Sequence, residues 1–123
     1  VFNEGAMFSI GDGHGCQGDG ESCTSALECA LSGTVELHLR KDMELSHPRA
    51  ETDSHYIFMG FDPLIDNAAK SALREAISFL GQQRAMSRDD AYTLCSLAVD
   101  LHVTQIVNGV KGVHAMLPKA ILA

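Results

Sequence analysis

The chain has no tryptophan and only two tyrosines and five phenylalanines, so any core must be filled mainly by aliphatic side chains. Bases are also scarce: nine Lys and Arg stand against sixteen Asp and Glu, giving a net charge of -7. The few bases are scattered. Nucleic acids and anionic membranes both require a clustered positive surface, so neither is expected as a partner. No apolar run approaches the roughly 18 residues of a membrane-spanning helix. The N-terminus lacks the basic, apolar and small-residue order of a signal peptide, and a cytoplasmic location is expected. The four cysteines, Cys16, Cys23, Cys29 and Cys95, show no CxxC clip and are too sparse for a secreted disulfide scaffold, which predicts free thiols. Internal repeats, low-complexity tracts and linkers are absent.

What is present is 123 residues, 46% of them apolar, enough for the core of one ordinary domain. The first residue is Val1 rather than methionine, and a glycine-rich loop follows almost at once, which predicts a piece of a larger fold. The pattern divides into a β-rich part, 1–60, containing a glycine and acid loop at 11–21, and a part at 61–123 that is helical with a C-terminal tail. The two are expected to pack as one α+β unit: mixed β structure, two packed helices and a closing strand or loop.

Ala6–Ile10 is short and mostly apolar, consistent with a buried strand leading into the loop. In Thr34–Arg40, Val35, Leu37 and Leu39 alternate with Glu36, His38 and Arg40, the period of a half-buried strand. Thr24–Leu31 is open between an extended segment and a short helix, and His55–Met59 is a further strand candidate. Asp62-Pro63 signals a helix start. Ile65, Ala69, Ala72, Leu73, Ala76 and Leu80 line one face at helical spacing, with Gly81 as the expected stop. Ser87 and Asp90 make a capping pair for a second helix, with Ala91, Leu94, Cys95, Ala98 and Leu101 facing inward. The β-branched run Val103–Val107 predicts a strand before Asn108-Gly109 turns the chain, and the tail Val110–Leu122 is apolar enough to dock.

The chemistry concentrates in Gly11-Asp12-Gly13-His14-Gly15-Cys16-Gln17-Gly18-Asp19-Gly20-Glu21, where five glycines alternate with polar and titratable side chains. Glycine tolerates positive φ and close backbone approach, so such a loop can fold tightly and aim its side chains at a shared centre. If the loop is locally extended, Asp12 shares a face with His14, and Asp19 with Glu21. Carboxylates gathered without a cation repel one another, which favours a bound divalent metal or a shared proton. A solvated surface turn is the competing reading, since loops are rich in these residues anyway. Gly13, Gly15 and Gly18 match GxGxxG formally, but Asp12, Asp19 and Glu21 would repel a pyrophosphate. An EF-hand fails because His14 and Cys16 stand where acidic ligands belong.

Gly5-Ala6-Met7-Phe8-Ser9-Ile10 running into GDGHGCQGDGE resembles the signature of the acetamidase/formamidase family. Pro48-Arg49-Ala50-Glu51-Thr52, His55-Tyr56, Met59-Gly60-Phe61-Asp62-Pro63, Asp90-Ala91-Tyr92 and Leu94-Cys95-Ser96-Leu97-Ala98-Val99-Asp100 are similar to further family segments. So is Gln105-Ile106-Val107-Asn108-Gly109-Val110-Lys111-Gly112-Val113-His114-Ala115, so the resemblance spans essentially the whole chain in order. The family's usual loop is similar to GDGHAAQGDGE, with Gly15 and Cys16 here in place of two alanines. A nucleophilic role for Cys16 is disfavoured, because family members resemble one another in working with alanine there and a thiol needs an activating base.

The resemblance implies the C-terminal part of a longer enzyme, sandwich-like in its whole fold. It also implies an amidohydrolase acting on small linear carboxamides such as formamide and acetamide, with a lactamase or other amidase on the same scaffold as the alternative. A non-catalytic metal-binding assembly module is the rival from another class. Amide hydrolysis needs an activated water, a stabilised oxyanion and a proton for leaving ammonia. The expected cofactor is a divalent metal, zinc before calcium, held by Asp12, His14 and Glu21. Glu21 or Asp19 is the expected general base, His14 a further catalytic candidate, and Gln17 orients the amide. The expected partners are the N-terminal portion of the same enzyme, as a separate or missing chain, and further copies in a homo-oligomer. His114 and Lys111 stand second, as a partly buried histidine and a surface charge. His38, His47, His55 and His102 are read as structural, and Arg49 with Glu51 as an ion pair.

Overall fold

The computed structural model describes residues 5–122 and is built as an antiparallel sheet with two helices on one face. In chain order the elements are β1 (His14–Cys16), β2 (Leu27–Glu28), β3 (Arg49–Glu51), β4 (His55–Asp62), α1 (Ile65–Arg84), α2 (Arg88–Ala98), β5 (Asp100–Gln105) and β6 (Lys111–Pro118), closed by a 3-10 turn at Lys119–Leu122. The main sheet has the order β3-β4-β6-β5 and is antiparallel throughout, while β1 and β2 form a separate small ladder. The α+β class and the two packed helices stand as the sequence predicts.

The helical face of α1 is lined with small residues. Ala68, Ala72, Ala76 and Leu80 are fully buried, and they meet Phe58 of β4 and Val113, Ala115 and Leu117 of β6 in one core. Phe79 seals its edge against Tyr56 and Phe58, with ring centroids 4.7 and 5.1 Å away. Successive strand residues point to opposite faces. With Phe58, Val113, Ala115 and Leu117 facing the helices, the register places Ile57, Met59, His114, Met116 and His102 on the far face, His114 lying between Met59 and His102.

At the turn into α1, Asp62 accepts from the Leu64 N–H and from Asn67 Nδ2, so it braces the turn; the helix itself begins at Ile65 after an uncapped Leu64. Gly81 does not stop α1, which runs to Arg84 and ends on Ala85 in the left-handed region. The capping pair forms: the Asp90 N–H donates to Ser87 Oγ at 3.1 Å, and the Ser87 hydroxyl donates to Asp90 Oδ2 at 2.6 Å. α2 ends at Ala98, so Leu101 lies on β5, and the expected strand Val103–Val107 is displaced to Asp100–Gln105. The expected tail is a full strand, β6, at the centre of the sheet.

The first third differs most from the sequence pattern. Neither Ala6–Ile10 nor Thr34–Arg40 forms a ladder with any described residue, because a strand needs a neighbour and none of the described segments lies alongside. Thr24–Leu31 forms no helix, and within it only Leu27–Glu28 is a strand, β2. Among the described residues no cysteines pair, and Cys95 is the buried one. No helix there is long and apolar enough to cross a membrane.

The tightest contact lies at Gly60, where an added Cβ would sit 2.2 Å from the Ala68 carbonyl and 2.5 Å from the Ala72 nitrogen. Both are helix backbone atoms and cannot rotate away. Gly60→Ala is therefore expected to destabilise the chain by about 1–3 kcal/mol, the usual cost of overpacking. Gly81→Ala, whose Cβ meets only the Met86 carbonyl at 3.6 Å, is expected to be neutral or to stabilise by up to about 1 kcal/mol through helix propensity. Urea unfolding of the two variants checks this, and equal midpoints would contradict it.

Candidate functional site

The glycine loop is fastened to the end of β5. Gly20 pairs in parallel with Gln105, its N–H donates to the Thr104 carbonyl at 3.3 Å, and its carbonyl accepts from the Ile106 N–H at 2.9 Å. Gly20 is buried and has φ +97°, a conformation that L side chains rarely adopt, so glycine is needed where the strap docks. A turn closed from the Glu21 N–H to the Gly18 carbonyl then carries Asp19 over the far face of the sheet.

There Asp19 Oδ2 lies 3.0 Å from His102 Nδ1. His102 and His114, cross-strand neighbours on β5 and β6, stack with ring centroids 5.2 Å apart and planes 15° from parallel. Nδ1 of His114 is hydrogen-bonded to Thr104 Oγ1 at 2.7 Å, which leaves Nε2 as its free ligand atom. One potential ligand atom from each of Asp19, His102 and His114 lies within 4.8 Å of the others. Burial pushes the His114 pKa below its ordinary value, with the Asp19 charge opposing and His102 adding to the shift. At neutral pH this imidazole is uncharged, the form that binds metals.

A second cluster sits on β1. Register sets His14 opposite Glu28 of β2, and Asp12, at φ 57°, turns back towards the same ring. His14 Nε2 lies 3.2 Å from Glu28 Oε1 and 3.5 Å from Asp12 Oδ1, yet this buried atom has no hydrogen-bond partner. On the other side of the ring, Nδ1 is 3.3 Å from Gln17 Oε1. The Gln17 contact raises the His14 pKa above its ordinary value, desolvation opposes it, and the charges of Glu28 and then Asp12 add smaller upward effects. An open cavity of about 490 Å³ adjoins this cluster, with Ile10, Leu31 and Val35 among its apolar walls and Asp12 and His14 at its polar end.

The structure therefore distributes the sequence candidates over two centres. Asp19 joins the first; Asp12, His14 and Gln17 form the second together with Glu28. Glu21, half-buried at φ 33°, belongs to neither three-ligand set, so the expected trio Asp12, His14 and Glu21 is replaced in the geometry by Asp12, His14 and Glu28. His102, which the sequence pattern marks as structural, and His114, which it ranks second, both reach the first centre. A usable signal existed: a hairpin turning at Asn108 sets residues equally far from it opposite one another, as His102 and His114 are.

The other histidines lie apart from both centres, His38 against Glu36, His55 against Ser54 and His47 at 3.7 Å from Glu75. Arg49 and Glu51 do not pair with each other. Arg49 lies over the Phe58 and Phe79 rings and bonds Glu75 at 3.1 Å, while Glu51 takes Lys119 at 2.6 Å. The helix-side aromatics and Glu75 draw Arg49 inward, away from Glu51. Lys111 donates to the Ile106 carbonyl and so braces the β5–β6 turn.

Comparison with known proteins matches the chain to one family. A crystal structure of an acetamidase from Yersinia enterocolitica superposes with a TM-score of 0.85 at 34% identity, covering 89% of this chain and 33% of that one. An acetamidase from Bacillus halodurans superposes with a TM-score of 0.71 at 30% identity, covering 89% of this chain and 37% of its own. The chain thus spans about a third of the length of these relatives. No curated protein sequence matches it. The model of the Acetamidase/Formamidase family matches residues 1–123, from end to end, and the chain belongs to that family.

Proposed function

We propose that these residues carry part of the active site of an amidohydrolase, which splits the C–N bond of small linear carboxamides such as formamide and acetamide into carboxylate and ammonia. The observation that carries the reading is the convergence of Asp19, His102 and His114 on the far face of the sheet. Two imidazoles and one carboxylate suit zinc, whose catalytic sites use three protein ligands and keep a position open. This donor set suits calcium poorly, because calcium prefers oxygen ligands. The hydroxyl of Thr104 on His114 Nδ1 fits the same reading, since metal-bound histidines are usually oriented through their other nitrogen. When bound, the cation supplies Lewis acidity to a carbonyl oxygen and to water.

The chain's own groups serve the remaining steps. Glu21, two residues beyond Asp19 and outside both ligand sets, takes the proton of the attacking water. His14, whose pKa is raised above its ordinary value by Gln17, is the group that gives a proton to departing ammonia. Because Gln17 meets His14 through its oxygen, its amide nitrogen is the group left to contact a substrate carbonyl. The apolar cavity beside His14 receives the acyl end of the substrate. The rest of the longer fold completes the enclosure.

Three measurements bear on this reading. Zinc content by elemental analysis is expected to be about one per chain at a three-ligand site, and to be lost in His102→Ala and in His114→Ala; retention of zinc in both would move the cation elsewhere. In the assembled enzyme, Glu21→Gln is expected to keep its zinc while acetamide turnover falls by at least about a hundredfold, the scale of a lost general base. Turnover near that of the unchanged enzyme would remove Glu21 from the chemistry. By NMR titration, His14 is expected to titrate above its ordinary value, and Gln17→Ala, which removes the largest cause, is expected to bring it back down. The sign is that of a raised histidine: its pairing stabilises the loop below the unfolded pKa of about 6.5 and fades as pH rises through the folded value. A His14 pKa at or below the ordinary value would contradict both the pairing and the proton-holding role.

A further inference from the structure

We propose that the groove between α1 and α2 is a binding site for a small organic carboxylate, with the Arg74 and Arg88 guanidiniums holding the acid group and Ile77 and Met86 the apolar body. The bases that lie scattered along the sequence are not scattered in the fold. Lys70 and Arg74 stand one turn apart on α1, and Arg88 opens α2 beside them, so that all three line one groove. A cavity of about 350 Å³ is lined there by Arg74, Ile77, Ser78, Gly81, Met86 and Arg88. A second, of about 230 Å³, shares Arg74, Ile77 and Arg88 with it and reaches Lys70.

Gathering these charges opposes folding, because like charges four apart on a helix repel. Other bases find acids within the chain: Arg40 pairs with Asp42, Arg49 with Glu75 and Lys119 with Glu51. Lys70, Arg74 and Arg88 pair with no carboxylate among the described residues, although the chain carries sixteen acids. Even Asp89, which lines the smaller cavity, makes no ion pair with them. An anion from outside the chain supplies the missing charge. A guanidinium presents its N–H groups as a planar fork that matches the two oxygens of a carboxylate. Ile77 and Met86 narrow the class, since an apolar wall gives inorganic phosphate nothing to bind. Gly81 serves the same cavity. It lies inside α1, where glycine weakens a helix, and an added Cβ would meet only the Met86 carbonyl at 3.6 Å. Its missing side chain leaves that wall open. The groove lies on the helix side of the sheet, across from Asp19, His102 and His114, so the inference does not rest on the proposed chemistry.

Titration of the 123-residue chain with acetate, hexanoate and inorganic phosphate, followed by backbone amide shifts in NMR, tests the site. Hexanoate is expected to move the amides of Ile77, Ser78, Gly81 and Arg88, and to bind at least about tenfold more tightly than acetate because its longer body leaves water. Arg74→Gln and Arg88→Gln, at exposed positions, are each expected to weaken hexanoate binding at least about tenfold, the scale of a lost charge-assisted hydrogen bond. Lys41→Gln, an exposed base outside the groove, is expected to leave it unchanged. Gly81→Leu fills the cavity while keeping both arginines, and is expected to abolish the preference for hexanoate over acetate. Absence of shifts at the groove amides would overturn the proposal, as would shifts confined to His102 and His114. Equal affinity for hexanoate and phosphate, or an equal loss in Lys41→Gln, would overturn it too. Groove shifts that grow with protein concentration alone, together with a dimer mass, would give the groove to the acids of a second copy and remove the small ligand.

Discussion

The approach of α1 to β4 at Gly60 is the contact on which the remaining architecture depends. A helix can lie this close to a sheet only where both surfaces are small, and here the alanines Ala68, Ala72 and Ala76 meet a strand position with no side chain at all. Packing of this kind keeps polar groups out of the contact itself, and the Arg49–Glu75 pair stays at its edge. The described core contains no buried polar or charged residue. The strand period then sends the alternate side chains, His102 and His114 among them, to the opposite face. The position of the histidine pair is thus a consequence of how the core closes.

The two centres are held by different means. His102 and His114 stand on paired strands whose backbone is fixed by the ladder, so their separation is set before any ligand arrives. Asp19 and the Asp12–His14–Glu28 group ride on a loop and on a two-residue ladder, anchored chiefly by Gly20 at the end of β5 and by the Cys29 N–H donating to the Gly13 carbonyl at 2.8 Å. The first centre sets one carboxylate against two imidazoles, and the second sets two carboxylates against one. On the proposed reading the rigid pair selects the cation and the loop tunes protonation around it. The opposite pKa directions of His114, lowered by burial, and His14, raised by Gln17 and two carboxylates, follow from that difference in setting.

Features governed by local rules were legible in the sequence. The apolar face of α1, the Ser87–Asp90 cap and the Asn108-Gly109 turn, where both residues adopt positive φ, each depend on neighbours within a few positions. Gly81 misled because glycine only weakens a helix, whereas the left-handed residue that ends α1 is Ala85. The glycine loop was legible as a concentration of chemistry, and Asp19, Asp12 and His14 do converge with partners. What was hidden is long-range pairing. Glu28 joins His14 through the β1–β2 register, and His102 meets Asp19 across 83 positions of chain, which no local period encodes.

The same distinction separates the two parts of the chain. Beyond residue 48 lie all the fully buried hydrophobic side chains of the described residues, and they form one core between sheet and helices, although Leu64, Tyr92 and Leu97 there stand exposed. Before it, the pattern of Thr34–Arg40 is as regular as that of any strand in the molecule, yet its apolar side chains stand exposed. A periodic sequence records the environment in which the segment functions, because alternation has value only when one face is buried. The candidate site draws Asp19 and His14 from the unsatisfied part and His102 and His114 from the satisfied one, so it lies on the seam between them.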